Sequence, residues 1–106
     1  MERAAFLLKV REDRMEEYKQ KHTEIWPEML EALRRHGWRN YSLFLAEDGQ
    51  MFGYVEAEES IAKSIEGMAG EEVNLRWQAF MGEFFEHLSG RPDQSMVPLE
   101  QVFYLE

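Results

Sequence analysis

At 106 residues, 44% of them hydrophobic, the chain is long enough to bury one core and too short for two, so residues 1–106 read as a single domain. Its 21 acidic against 12 basic side chains leave a net charge of -9, which repels phosphate backbones and anionic surfaces and argues against nucleic-acid and membrane partners. With no cysteine there is no disulfide framework, iron–sulfur cluster or nucleophilic thiol, which is compatible with a cytoplasmic address.

Residues 3–10 read as a strand with Phe6, Leu8 and Val10 on one side and Ala5 and Leu7 on the other. Lys9 interrupts the N-terminal apolar run too early for a signal-peptide core, so a soluble, unprocessed chain is expected. Asp13, with Glu16 three residues on, predicts a capped helix running to about His22. Trp26-Pro27 restarts the helix, because proline suits a first turn, and Met29, Leu30 and Leu33 carry it to His36-Gly37. Tyr41 to Ala46 and Met51 to Ala57 are strand-like runs around Asp48-Gly49, a strong hairpin signal. Ser60 to Met68 predicts a short helix closed by Gly70, and Glu71 to Leu88 a longer one. A polar loop around Gly90-Arg91-Pro92-Asp93 then leads to a last strand at about Gln101 to Leu105.

The order β-α-β-β-α-β predicts an α+β, ferredoxin-like antiparallel sheet with its helices on one face. Phe44 opposes the Leu43/Leu45 face and Phe103 opposes Val102/Tyr104, so the second sheet face is apolar too. A second copy covering it would make a homodimer, a dimeric α+β barrel.

Tyr18 and His22 lie four residues apart and share one helix face, where both can meet one small ligand, and an imidazole can exchange protons near neutrality. The plainer reading is that Tyr18 covers a core edge and His22 caps a helix C-terminus. His36 and His87 fit helix ends, and no histidine pair has metal-ligand spacing, so no metal is expected. Trp26, Trp38 and Trp77 suit a core by default and the C–H face of a sugar as the alternative. Glu16, Glu17, Lys19 and Lys21 read as a solvated face with i, i+4 pairing. No phosphate loop or nucleophile elbow is present.

The stretch Tyr18-Lys19-Gln20-Lys21-His22-Thr23-Glu24-Ile25-Trp26-Pro27-Glu28 closely resembles the signature of the L-rhamnose mutarotase family. His36-Gly37, Asn40-Tyr41, Arg76-Trp77 and the terminal Gln101-Val102-Phe103-Tyr104-Leu105 resemble that family at matching places, spanning nearly the whole chain. The resemblance implies a cytoplasmic homodimer that interconverts the α and β pyranose anomers of L-rhamnose without cofactor. It matches His22 to the family's proton donor and Tyr18, Tyr41 and Trp77 to its sugar contacts. Many members follow the Arg-Trp step with a second Trp where this chain has Gln78, which puts an amide in place of a stacking surface among the substrate-binding positions. Two rival classes share features with this reading: a dimeric-barrel monooxygenase, cofactor-free or haem-dependent, and a non-catalytic sugar-binding module.

Overall fold

The computed structural model of the chain describes residues 1–86, 92 and 95–106. The expectations for His87 and for most of the loop around Gly90 lie outside these residues. Strand β1 (Glu2–Lys9) is followed by a 3-10 turn (Glu12–Arg14) and two short helices, α1 (Met15–Lys21) and α2 (Pro27–Arg35). Strands β2 (Trp38–Leu45) and β3 (Gln50–Ala57) form a hairpin, helices α3 (Ile61–Ala69) and α4 (Glu72–Met81) follow, and β4 (Val97–Leu99) returns to the sheet. The sheet order is β2-β3-β1-β4 and every pair is antiparallel, as the ferredoxin-like reading requires.

The helix ends obey local chemistry. Pro27 opens α2, where a missing N–H costs nothing, and Ser60 caps α3 by accepting from the Lys63 N–H at 3.1 Å. The α2 chain exit passes through Gly37 at φ 78, and the hairpin turns at Gly49, φ 93. On the inner sheet face Phe6, Val10, Met51 and Val55 pack against Met29, Ala32, Val73, Trp77 and Met81 of the helices to form the core. Among the described residues no helix is long and apolar enough to cross a membrane.

Four expectations are corrected. Asp13 does not cap α1: it lies in the 3-10 turn with its carboxylate 3.5 Å from Arg11, while Glu16 turns to Lys19 at 3.2 Å, leaving Arg14 at the cap position, where its side chain makes no capping bond. The charged face is accordingly paired at i, i+3, as in Arg14–Glu17 at 2.8 Å. The long last helix stops at Met81, because a 3-10 turn (Gly82–Phe84) drives Phe84 into the core, 1% exposed, and the Phe84 carbonyl then accepts from the Arg11 N–H at 2.7 Å. The last strand is Val97–Leu99, and residues 101–105 are not strand: pairing with β1 ends at Ala5↔Leu99, and the tail peels off to lay Tyr104 under the Arg3 guanidinium, 4.0 Å from the ring centroid.

Strand β2 begins at Trp38, ahead of the expected Tyr41, and carries a bulge. Arg39 pairs with Glu56 and Ser42 with Tyr54, so three steps along β2 match two along β3. Asn40 absorbs the extra residue at φ 47, a conformation asparagine tolerates, and its Nδ2 donates to Glu56 at 3.1 Å. The extra step reverses the alternation of the strand, so that Trp38 and Tyr41 share the inner face with Leu43 and Leu45.

Candidate active site

Where α1 breaks, His22 takes the C-cap position. Its Nδ1 lies 3.0 Å from the Tyr18 carbonyl, which can only accept, so Nδ1 carries the proton and Nε2 keeps the lone pair. Burial lowers the imidazole below its ordinary pKa, with the bond to the Tyr18 carbonyl opposing that shift, so the neutral form prevails at neutral pH. The ring is held between two aromatics, with the Tyr18 ring centroid at 4.3 Å and that of Trp77, edge-on, at 6.0 Å.

Tyr18 is buried, with 4% of its surface exposed, and burial raises its phenol well above the ordinary value, the Tyr41 group adding to the effect. Tyr41 keeps 38% of its surface accessible, yet its phenol is raised by burial as well. Both hydroxyls therefore stay protonated and available as donors. Trp38 packs on Tyr41, centroids 5.0 Å apart, and Trp26 meets Trp77 edge-on at 5.0 Å.

Tyr18, His22, Trp38, Tyr41 and Trp77 line one cavity of about 480 Å³ between the inner sheet face and the helices, within the roughly 300–1,000 Å³ usual for small-molecule sites. All five residues singled out from the sequence, His22, Tyr18, Tyr41, Trp77 and Gln78, are on its wall. So are Trp38 and Asn74, which sequence reasoning left to the core or passed over. Trp38 and Trp77 belong at once to the packed core and to the cavity wall. Asn74 is 2% exposed, and as a polar residue one turn before Gln78 on an otherwise apolar helix face it carried the signal that could have exposed it. His36 lies apart, closing α2 with its Nε2 3.2 Å from Glu71, which places it in the helix-end role expected of it. Among the described residues no cluster of three His, Cys, Asp or Glu side chains could hold a metal ion.

Set on an α+β sheet, an imidazole, two protonated phenols and indole faces around one cavity can bind a small ligand and exchange protons with it. The family described as L-rhamnose mutarotase matches residues 3–105. The chain is 41% identical to the L-rhamnose mutarotase of Bacillus subtilis over the full length of both proteins, and 41% identical to that of Tolumonas auensis over 99% of each. The crystal structure of an L-rhamnose mutarotase from Formosa agariphila superposes with a TM-score of 0.82 at 30% identity, covering both chains completely. The chain belongs to the L-rhamnose mutarotase family.

Proposed function

We propose that the protein interconverts the α and β pyranose anomers of L-rhamnose, with His22 as the group that carries the proton. The observation that supports this reading most directly is the bond from Nδ1 to the Tyr18 carbonyl, which fixes the tautomer and reserves Nε2 for the ligand.

Ring opening removes the proton of the anomeric hydroxyl and delivers one to the ring oxygen as the bond from the anomeric carbon to that oxygen breaks. Neutral His22 enters as the base, taking the hydroxyl proton on Nε2, while a tyrosine hydroxyl or a water gives a proton to the ring oxygen and takes it back on closure. The aldehyde then rotates about its bond to the next carbon. Closure on the opposite face reverses the transfers, and His22, now imidazolium, returns its proton to the new anomeric oxygen. The proton-donor role that the resemblance gives His22 thus falls in closure, toward the anomeric oxygen, and not in opening, toward the ring oxygen as the sequence reading had it. Tyr18 and Tyr41 orient sugar hydroxyls, Trp77 stacks on the apolar ring face, and Gln78 meets a hydroxyl. General acid–base catalysis contributes about 10²–10⁴-fold to such steps.

The reading includes a cytoplasmic homodimer. Its support is the outer sheet face, where Phe44, Phe52, Leu7 and Val97 stand in one cross-strand row, Phe44 62% and Val97 56% exposed. Such a continuous apolar row calls for a cover, and a second copy supplies a matching one.

Saturation-transfer NMR of L-rhamnose anomer exchange tests the activity, with wild type beside His22→Ala. Wild type should accelerate exchange and His22→Ala should lose roughly 10²-fold or more. Full exchange by His22→Ala would remove His22 from the chemistry, and no exchange by wild type would remove the activity.

A further inference from the structure

Arg34, Arg35 and Arg39 crowd the corner where α2 ends and β2 begins. Arg35 holds Glu71 at 2.6 Å and Arg39 holds Glu58, so both of these charges are engaged within the protein. Arg39 also fastens the corner, its Nη1 donating to the Arg34 carbonyl at 2.8 Å and to the Trp38 carbonyl at 3.3 Å. Arg34 itself pairs with no carboxylate among the described residues, and it stands exposed where the cavity meets solvent. Trp38, on the same cavity wall, is 8% exposed, and its indole N–H is buried with no hydrogen-bond partner among the described residues. A stranded donor of this kind destabilises the fold. Its place in the wall of a cavity points to a partner that enters from the cavity.

We propose that Arg34 and Trp38 form a donor edge of the sugar site, binding L-rhamnose through oxygens that accept. A guanidinium and an indole N–H can only donate, so this edge rewards an oxygen in the ligand whether or not that oxygen carries a proton. The tyrosine hydroxyls of the same cavity can donate and accept, and they discriminate less. In the free protein the Trp38 N–H is closed over, so the ligand reaches it through a side-chain adjustment of the kind common on binding. Tyr41 has the room to make it: its ring packs on the indole, centroids 5.0 Å apart, yet is 38% exposed on the edge strand β2. The proposal rests on the mutarotase reading above, and it adds to that reading two binding residues and the polarity of their contacts.

Titration of isotope-labelled protein with L-rhamnose, read by NMR at the indole N–H signals of Trp26, Trp38 and Trp77, tests the buried donor. At saturating sugar the Trp38 signal, the one missing in Trp38→Phe, should move downfield and exchange with water more slowly. Should Trp38→Phe fail to fold, Trp26→Phe and Trp77→Phe assign the signal by elimination. In the anomer-exchange assay Trp38→Phe, which keeps a ring and loses the N–H, and Arg34→Leu should each raise KM for L-rhamnose. The expected rise is roughly fivefold to tenfold, the loss of one hydrogen bond, with kcat changed less than about twofold. A Trp38 signal that stays in place at saturating sugar, as it would if the N–H already rested on the Tyr41 ring, would overturn the proposal. So would an unchanged KM in Arg34→Leu, the result if that arginine serves only the α2 dipole. Wild type that shifts the Trp38 signal without exchanging anomers would sink the mutarotase reading and keep the donor edge, whereas exchange with the signal unmoved would sink the edge alone. Neither binding nor exchange would sink both.

Discussion

Gly53 on β3 faces Phe6 on β1 as its cross-strand partner, and the tip of the Phe6 ring occupies the space a side chain would take. A Cβ at position 53 would stand 2.2 Å from Phe6 Cζ and 2.6 Å from each Cε, so Gly53→Ala cannot be accommodated without moving the ring. The ring is 5% exposed and packs toward Tyr41, centroids 6.4 Å apart, so it has little room to retreat. Overpacking of a core typically costs about 1–3 kcal/mol, and alanine regains at most about 1 kcal/mol over glycine in a strand. Taking about 2 kcal/mol for the overpacking and the full regain leaves a net loss of about 1 kcal/mol, a fall in Tm of roughly 4–8 °C for a domain of this size. Because Phe6 and Tyr41 both stand on the cavity wall, the KM for L-rhamnose should rise with it. Thermal unfolding followed by circular dichroism measures the first effect and NMR anomer exchange the second. Phe6→Leu removes the colliding atoms, so Gly53→Ala should cost much less in that background than in wild type. A Gly53→Ala protein melting within about 1 °C of wild type, or one equally destabilised in both backgrounds, would refute the reasoning.

Three further outcomes are expected. Burial lowers the His22 pKa in the folded protein, so between that value and the unfolded one, roughly 6.5, the unfolded chain holds more protons, and stability is lost as pH falls through this window. Relative to His22→Phe, wild type should therefore melt higher at about pH 8 than at about pH 5, and a constant or inverted difference would contradict the burial. The Trp38 indole N–H is buried with no hydrogen-bond partner among the described residues, a penalty of about 1–3 kcal/mol that Trp38→Phe relieves; that variant should melt above Trp77→Phe, and the reverse order would mean the N–H is satisfied. On the outer face proposed as the dimer interface, Phe44→Glu places a charge in the apolar row, and multi-angle light scattering should give a dimer mass for wild type and a monomer mass for the variant; equal masses would overturn that interface.

What the sequence disclosed, it disclosed through local chemistry. Trp26-Pro27 and His36-Gly37 bracket α2 because proline and glycine restrict or free the backbone on their own account, and Asp48-Gly49 marks the hairpin for the same reason. Tyr18 and His22 were paired by helical spacing alone. What stayed hidden depended on partners distant in the chain. The end of α4 is set by Phe84 entering a core built from β1 and α1, and the Asp13 cap failed because Arg11 offered its carboxylate another partner. The apolar tail reads as strand by composition, yet β1 pairs with residues 97–99 and leaves the tail outside. Asn74 was passed over because its bond to the Met68 carbonyl, 3.0 Å, exists only where α3 meets α4.

The bulge at Asn40 means that one wall of the site is encoded by a count and not by a side chain. Excising that residue would leave Trp38, Tyr41, His22 and Trp77 all present, and every pairwise identity in the site intact. The pleat would become regular, and either Trp38 or the set Tyr41, Leu43 and Leu45 would have to face outward. A relative could thus keep every residue of the site and lose the site, through the parity of a strand.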